Sequence, residues 1–381
     1  MSIHYAAGVE GGNRLPWRTR LLLFAFGTLV ALVVLELVLR GVTVVNPALA
    51  SNFRDWDPDA VQIELLGESC YRPRPGAAFH YENGAVAHIN AEGYRGPVVR
   101  RPKRPGVFRV VLLGGSTSHG FGVDDESTID AQLRQLLARQ DPDRPIEVVN
   151  LGFDGYDSMC DRERFEVDAL RLEPDAVILH SGINDVAAAR FAPPRRETSS
   201  TFRPYVDRLR EERRRGGRGV WGHLKHRLFT ARLPGVMRHQ ARGQRVGVSS
   251  GASMPGPPSP PAHGPDAFES NLRRTAELAP PGAVLLFSTP PSSLRFSSRP
   301  RRRFEPHLVV DDATTQRYRD ALDQRMRRVA TDLAKAGRRA MYVEHSMPLE
   351  RFQDDCHLDR EGNRRLAADF AAALAALRSG P

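Results

Sequence analysis

Residues 111–122 read VLLGGSTSHGFG, an apolar run that stops at two glycines and a Ser-Thr-Ser cluster. If the run is a buried strand, Ser116 follows its carboxyl end, where open α/β sheets place their ligand crevice. Ser116 is then either turn chemistry or a nucleophile, and the rest of the chain must decide. Outward from this stretch the rhythm is regular. A helix with Ile129, Leu133, Leu136 and Leu137 on one face comes first, followed by strand IEVVNLG, a helical segment near 158–171, and strands DAVILHSG, AVLLFSTPP and AMYVEHS. Between the last two strands, Tyr318, Leu322, Met326, Val329 and Leu333 recur at helical spacing before a C-cap at Gly337. A final helix carries Leu366, Phe370, Leu374 and Leu377 on one stripe. Five short apolar strands alternating with amphipathic helices predict an α/β fold, a flavodoxin-like three-layer sandwich around a parallel sheet of about five strands.

The motif readings that would make the opening stretch a nucleotide loop fail. A phosphate-binding P-loop needs Lys-Ser/Thr after its last glycine, where Phe121 stands, and the dinucleotide Gly-x-Gly-x-x-Gly is absent. The nucleophile elbow of α/β-hydrolases needs glycine two residues to either side of the serine. Gly114 satisfies one side, and Ser118 occupies the other.

The chain has 381 residues, with 55 Lys+Arg against 45 Asp+Glu, and only three of the basic residues are lysines. Arginine bias over a whole chain weakens any argument for a nucleic-acid surface, and no nucleic-acid motif accompanies it. Within 190–246 there are sixteen Lys+Arg against four Asp+Glu, and a Gly-, Ser- and Pro-rich run follows. We read 186–265 as a basic, partly disordered insertion, either a solvated segment or a patch for anionic lipid or glycan.

Near the N-terminus, Leu21 to Leu39 is broken only by Gly27, Thr28 and Glu36, and Arg14, Arg18 and Arg20 precede it. About 20 apolar residues span a bilayer, and preceding arginines favour a cytoplasmic N-terminus. The expected organisation is a cytoplasmic tail (1–20), a transmembrane anchor (21–39), an irregular turn-rich extension (41–105) and a catalytic domain (106–378) outside the cytoplasm. A cleaved signal peptide is the alternative, because Ala-Leu-Ala at 48–50 resembles a cleavage site. No pair among Cys70, Cys160 and Cys356 has the two-to-four-residue spacing of zinc sites, so neither metal nor cofactor is expected. In an exported chain two of the three could form a disulfide, and one at Cys356 would tie down the loop carrying His357; all three reduced is equally compatible.

Four blocks then fall in order at strand ends: LLGGSTSHG, VVNLGFDGYDS, ILHSGINDV and, before the last helix, DDCHLDREGNRRLA. Together they resemble the SGNH/GDSL hydrolase family, and the apolar segment with GYRGP at 93–97 resembles its membrane-anchored bacterial members. The resemblance covers roughly 107–378. It implies Ser116 as nucleophile, His357 as base and Asp354 as the carboxylate orienting it, with Asp355 the competitor for that last role. It also implies an oxyanion hole from the Ser116 N–H, Gly155 (Gly152 being the alternative) and the Asn184 side chain. Two residues depart from the family pattern, Gly115 where Asp is usual and Ile183 where many members have glycine. Read without the resemblance, Ser116 and Thr117 could cap the following segment, and Asn184 and Asp185 could be turn residues. The expected activity is a serine esterase or acylhydrolase acting on small-molecule, lipid or glycan esters of the envelope. The alternatives are an O-acyltransferase of the same superfamily and a non-catalytic envelope scaffold.

Overall fold

The computed structural model describes residues 15–45, 62–67, 70–81, 83–189, 263–293 and 312–378, together with 209–211, 214 and 228. The Ala-Leu-Ala stretch at 48–50 and nearly all of the 186–265 insertion lie outside the described residues.

The first element is α1 (Trp17–Val45). Its Trp17–Val42 portion, 26 residues of mean hydropathy 2.7, is long and apolar enough to cross a membrane. The acidic residue within it has a partner one turn on, Arg40 Nε donating to Glu36 Oε1 over 2.9 Å. This helix belongs to one compact unit and the elements that follow to a second.

Two antiparallel hairpins open the second unit. They are β1 (Ile63–Leu66) with β2 (Cys70–Pro73), and β3 (Ala78–His80) with β4 (Val86–His88). The central sheet follows, built from β5 (Phe108–Gly114), β6 (Ile146–Asn150), β7 (Ala176–His180), β8 (Val284–Ser288) and β9 (Ala340–Tyr342). It is parallel throughout, in the order β6-β5-β7-β8-β9, with Val111 opposite Val149 on one side and Val177 on the other. Each of the five apolar runs forms a strand because side chains from both of its faces are covered. Val110, Leu112, Ile178 and Leu286 pack against α3 (Ile129–Gln140) and α8 (Arg360–Arg378) through Leu133, Leu137, Leu366, Phe370 and Leu374. The alternate residues Val111, Leu113, Val177, Leu179 and Phe287 face the opposite layer. That layer holds α6 (His263–Leu278) and α7 (Asp312–Lys335), with Phe268, Leu272, Leu322, Met326 and Val329 in the core. The observed architecture is thus the three-layer α/β sandwich.

Three short helices hang from the carboxyl ends of the sheet. They are α2 (Ser116–His119) after β5, α4 (Ser158–Arg164) after β6 and α5 (Ile183–Ala189) after β7. The single disulfide among the described residues joins Cys70 of β2 to Cys160 of α4, leaving Cys356 as a free thiol. A tether at Cys356 is therefore corrected. Pairing needs Cα atoms within about 7 Å, and the Cys70 and Cys160 Cα atoms are 5.4 Å apart.

Candidate active site

β5 ends in Gly114, Gly115 follows it, and the chain then turns sharply into α2. The turn is possible because both positions lack a side chain. A Cβ on Gly114, whose φ is +143°, would lie 2.2 Å from the His180 carbonyl oxygen and from Ser118 Oγ. A Cβ on Gly115 would lie 2.5 Å from Asn184 Nδ2. Gly115 is the N-cap position of α2 and Ser116 is its first residue, so the Ser116 side chain does not cap this helix.

The loop before α8 brings His357 to Ser116 across 241 residues of chain, with Nε2 2.7 Å from Ser116 Oγ. On the other side of the ring Nδ1 is 2.7 Å from Asp354 Oδ2, and Asp354 Oδ1 accepts the backbone N–H groups of Cys356 and His357 at 3.0 and 2.9 Å. The carboxylate facing the imidazole is that of Asp354, not of Asp355. With Nδ1–H donating to Asp354, Nε2 is left as the acceptor for the Ser116 hydroxyl. Burial raises the Asp354 pKa, yet the hydrogen bond and charge of His357 hold it down to about 2.

Asn184, near the start of α5, donates from Nδ2 to the Tyr156 carbonyl oxygen over 2.8 Å. An amide nitrogen carries two hydrogens, so one remains beside Gly115. The start of α5 is pinned by Asp185, which accepts from the Ser158 hydroxyl at 2.6 Å and the Ser158 N–H at 3.1 Å. Burial pushes the Asp157 and Asp185 carboxyls above their ordinary range. Gly155, with φ +78°, sits in the turn closed by the Tyr156 N–H on the Phe153 carbonyl. Gly152 has a different place: its N–H donates to Asn150 Oδ1, and a Cβ there would meet Ser118 Cβ at 2.8 Å.

Three other histidines lie near strand ends. His119 is buried with Nδ1 2.9 Å from Asp154 Oδ1. His180 and His345 share Ser288, whose Oγ is 2.7 Å from His180 Nδ1 and 2.8 Å from His345 Nε2, while His345 Nδ1 lies 2.7 Å from Asp369 Oδ2. Ser288, His345 and Asp369 thus repeat the spacing of Ser116, His357 and Asp354. Ser288 and His180 are fully buried, and burial, with the neighbouring His345, keeps the His180 pKa well below the ordinary imidazole value. If His345 donates to Asp369, Ser288 donates to His345 and accepts from His180, a closed relay with the serine hydroxyl held on both sides. One ligand-type atom from each of Asp354, Cys356 and His357 lies within 4.8 Å of the others, the one such group found among the described residues. Both of its imidazole nitrogens already face Ser116 and Asp354.

Two neighbours of the site were not singled out by the blocks. The Phe121 ring lies 4.5 Å from the His357 ring, tilted by 31°, and Tyr81 of the β3–β4 hairpin lies 4.6 Å from Phe121. Asn83 of the same hairpin donates to the Gly122 carbonyl at 2.7 Å and to Gln353 Oε1 at 3.1 Å.

Residues 112–365 match the GDSL-like lipase/acylhydrolase family. The chain belongs to that family. Membership makes it part of a hydrolase and esterase family and accounts for the sheet and the four blocks together. No curated protein matches the chain. Among solved structures it is similar to a GDSL-like lipase from Bacteroides thetaiotaomicron, 14% identical over 73% of this chain and 92% of that one, with a TM-score of 0.37. It is also similar to an acetylxylan esterase from Geobacillus stearothermophilus, 16% identical over 70% of this chain and 94% of that one, with a TM-score of 0.37.

Proposed function

We propose that this GDSL-family chain is a serine ester hydrolase in which Ser116, His357 and Asp354 act as nucleophile, base and orienting carboxylate. The observation that carries this reading is the continuous line from Ser116 Oγ through His357 to Asp354, 2.7 Å at each junction. Ser116 Oγ attacks the ester carbonyl as its proton passes to Nε2. The same proton is returned to the leaving alcohol, and water repeats the sequence on the acyl-enzyme. The Ser116 and Gly155 N–H groups and the second hydrogen of Asn184 Nδ2 stabilise the negative oxygen. The domain layout read from the sequence is part of the proposal: α1 tethers the enzyme, and the domain from 106 to 378 works outside the cytoplasm on acyl or acetyl esters of envelope glycans or lipids. A panel of short- and long-chain acyl esters and acetylated glycans, offered to the domain with fluorophosphonate labelling in parallel, tests it. Absence of both turnover and labelling would refute it.

Gly115→Ala should injure the oxyanion donor more than the fold. The nearest atom to such a Cβ is Asn184 Nδ2 at 2.5 Å, the end of a flexible side chain that can move aside only by leaving its place beside Gly115, and the Tyr156 carbonyl oxygen is next at 3.1 Å. Turnover is expected to fall on the order of 10²–10³-fold, the cost of losing one such donor. Asn184→Ala in the same background should add little. Independent, multiplying losses in the double variant would contradict this coupling.

His357 accepts a proton only when neutral. Burial opposes its charge, but the Cys356 sulfur, 3.9 Å from Nδ1, and the Asp354 carboxylate outweigh burial and hold its pKa well above the ordinary imidazole value. The rate constant kcat/KM is therefore expected to rise with pH along a limb centred above about 6.5. A wild-type limb centred at or below 6.5 would show that the charge is not held as described.

A further inference from the structure

Arg95, in the GYRGP stretch, lies before the residues matched by the family and is 1% exposed. A guanidinium buried this deeply needs partners for all its N–H groups, and those partners show what it organises. Nη1 donates to the carbonyls of His119 at 2.8 Å and Gly120 at 2.7 Å, and Nη2 donates to Val123 at 2.6 Å and Val86 at 3.4 Å. Nε donates to Asp125 Oδ1 at 2.7 Å. Three of the four carbonyls belong to the segment that leaves Ser116, and the fourth belongs to β4. In turn, the N–H groups of Gly120 and Phe121 both donate to the Ser116 carbonyl at 3.0 Å. Phe121 also lies against the His357 ring.

We propose that Arg95 is a positioning residue for hydrolysis. Its guanidinium sets the turn that holds Ser116 and, through Phe121, the imidazole that must meet it, so residues 78–95 are a working part of the site. The proposal rests on the assignment of Ser116 and His357 as nucleophile and base. Arginine suits the task because its planar fork can bind several carbonyls at once, whereas the lysine ammonium is a point charge with three donors on a flexible stem. Lysine at 95 keeps the charge and cannot reproduce the fork. A misplacement of about 1 Å in reacting groups costs on the order of 10²-fold.

The test is Arg95→Lys in the full chain, with folding checked by near-ultraviolet circular dichroism, and with kcat, KM and the rate of fluorophosphonate labelling measured on the folded protein. The expected result is a fall in kcat on the order of 10²-fold, an unchanged KM and a parallel fall in labelling rate. A purely structural role would lower Tm and leave kcat of the folded protein at the wild-type value, which would overturn the proposal. Should Arg95→Lys not fold, Asp125→Asn is read in its place. It weakens the anchor on Nε together with the contacts of the same carboxylate to the His88 N–H at 3.2 Å and to His88 Nδ1 at 2.7 Å, and a smaller fall in kcat with parallel labelling supports the proposal, whereas wild-type kcat overturns it. Ser116→Ala run alongside separates the two levels. If it remains active, the nucleophile assignment fails; if it is inactive while folded Arg95→Lys is fully active, only the positioning role fails.

Discussion

Ser116→Ala is expected to lower ester turnover by about 10⁶-fold, the scale of loss when a serine nucleophile is removed, and to abolish fluorophosphonate labelling. Stability should barely change. The helix α2 takes no cap from this side chain, and the substitution removes only one oxygen, whose hydrogen bond to His357 is worth about 1 kcal/mol net. The informative companion is Ser288→Ala. Ser288 has the same imidazole and carboxylate spacing behind it, but it is fully buried and held between His180 and His345. Its loss leaves two buried ring nitrogens without their shared partner, at a cost of about 1–3 kcal/mol each when unsatisfied. Labelling and turnover should survive in Ser288→Ala and vanish in Ser116→Ala. Labelling that persists in Ser116→Ala and disappears in Ser288→Ala would transfer the nucleophile to the other serine.

Asp354→Asn is expected to cost about 10⁴-fold in kcat, with the fold intact, through the tautomer of His357. Asp354 Oδ1 takes two backbone N–H groups, which only an oxygen can accept, so the asparagine carbonyl would occupy that place. The amide nitrogen then faces Nδ1 and donates to it, moving the ring proton to Nε2, where it confronts the Ser116 hydroxyl. The base is present but offers no lone pair to the nucleophile. Nitrogen-15 chemical shifts of the imidazole would report the change. An unaltered tautomer with a full loss of rate would mean that Asp354 acts by its charge alone.

Strands β5 to β9 were legible because each is a short apolar run with both faces covered, and the helices because their apolar residues recur at helical spacing. Ser116, Asn184, His357 and Asp354 could be picked out because they sit in blocks that punctuate strand ends. What escaped depended on proximity without periodicity. Three cysteines can pair in three ways, and no spacing indicates that β2 packs against α4. Arg95 lies beside hairpins whose strands are three and four residues long, too short for a pattern, and four of its partners are carbonyl groups, which every residue possesses. The close approach of the Asn184 amide to Gly115 joins residues nearly seventy apart, which no local spacing shows. The Ser288 relay was hidden for the same reason, being assembled from three strand ends and one helix.

The separation of 241 positions between Ser116 and His357 has a consequence for the order in which the proposed site is assembled during synthesis. Chains fold from the N-terminus as they emerge, so β5, α2 and the turn at Gly155 are available early, while the base arrives with one of the last segments to be made. Until then, an emerging chain has Ser116 without the imidazole that the proposed mechanism requires. Arrival of α8 sets that partner in place: Asn363 Nδ2 donates to the Ser127 carbonyl at 3.0 Å, and Arg378 pairs with Asp141 at 2.7 Å. On the proposed mechanism, hydrolysis cannot begin before the segment carrying His357 has been made and has folded against Ser116.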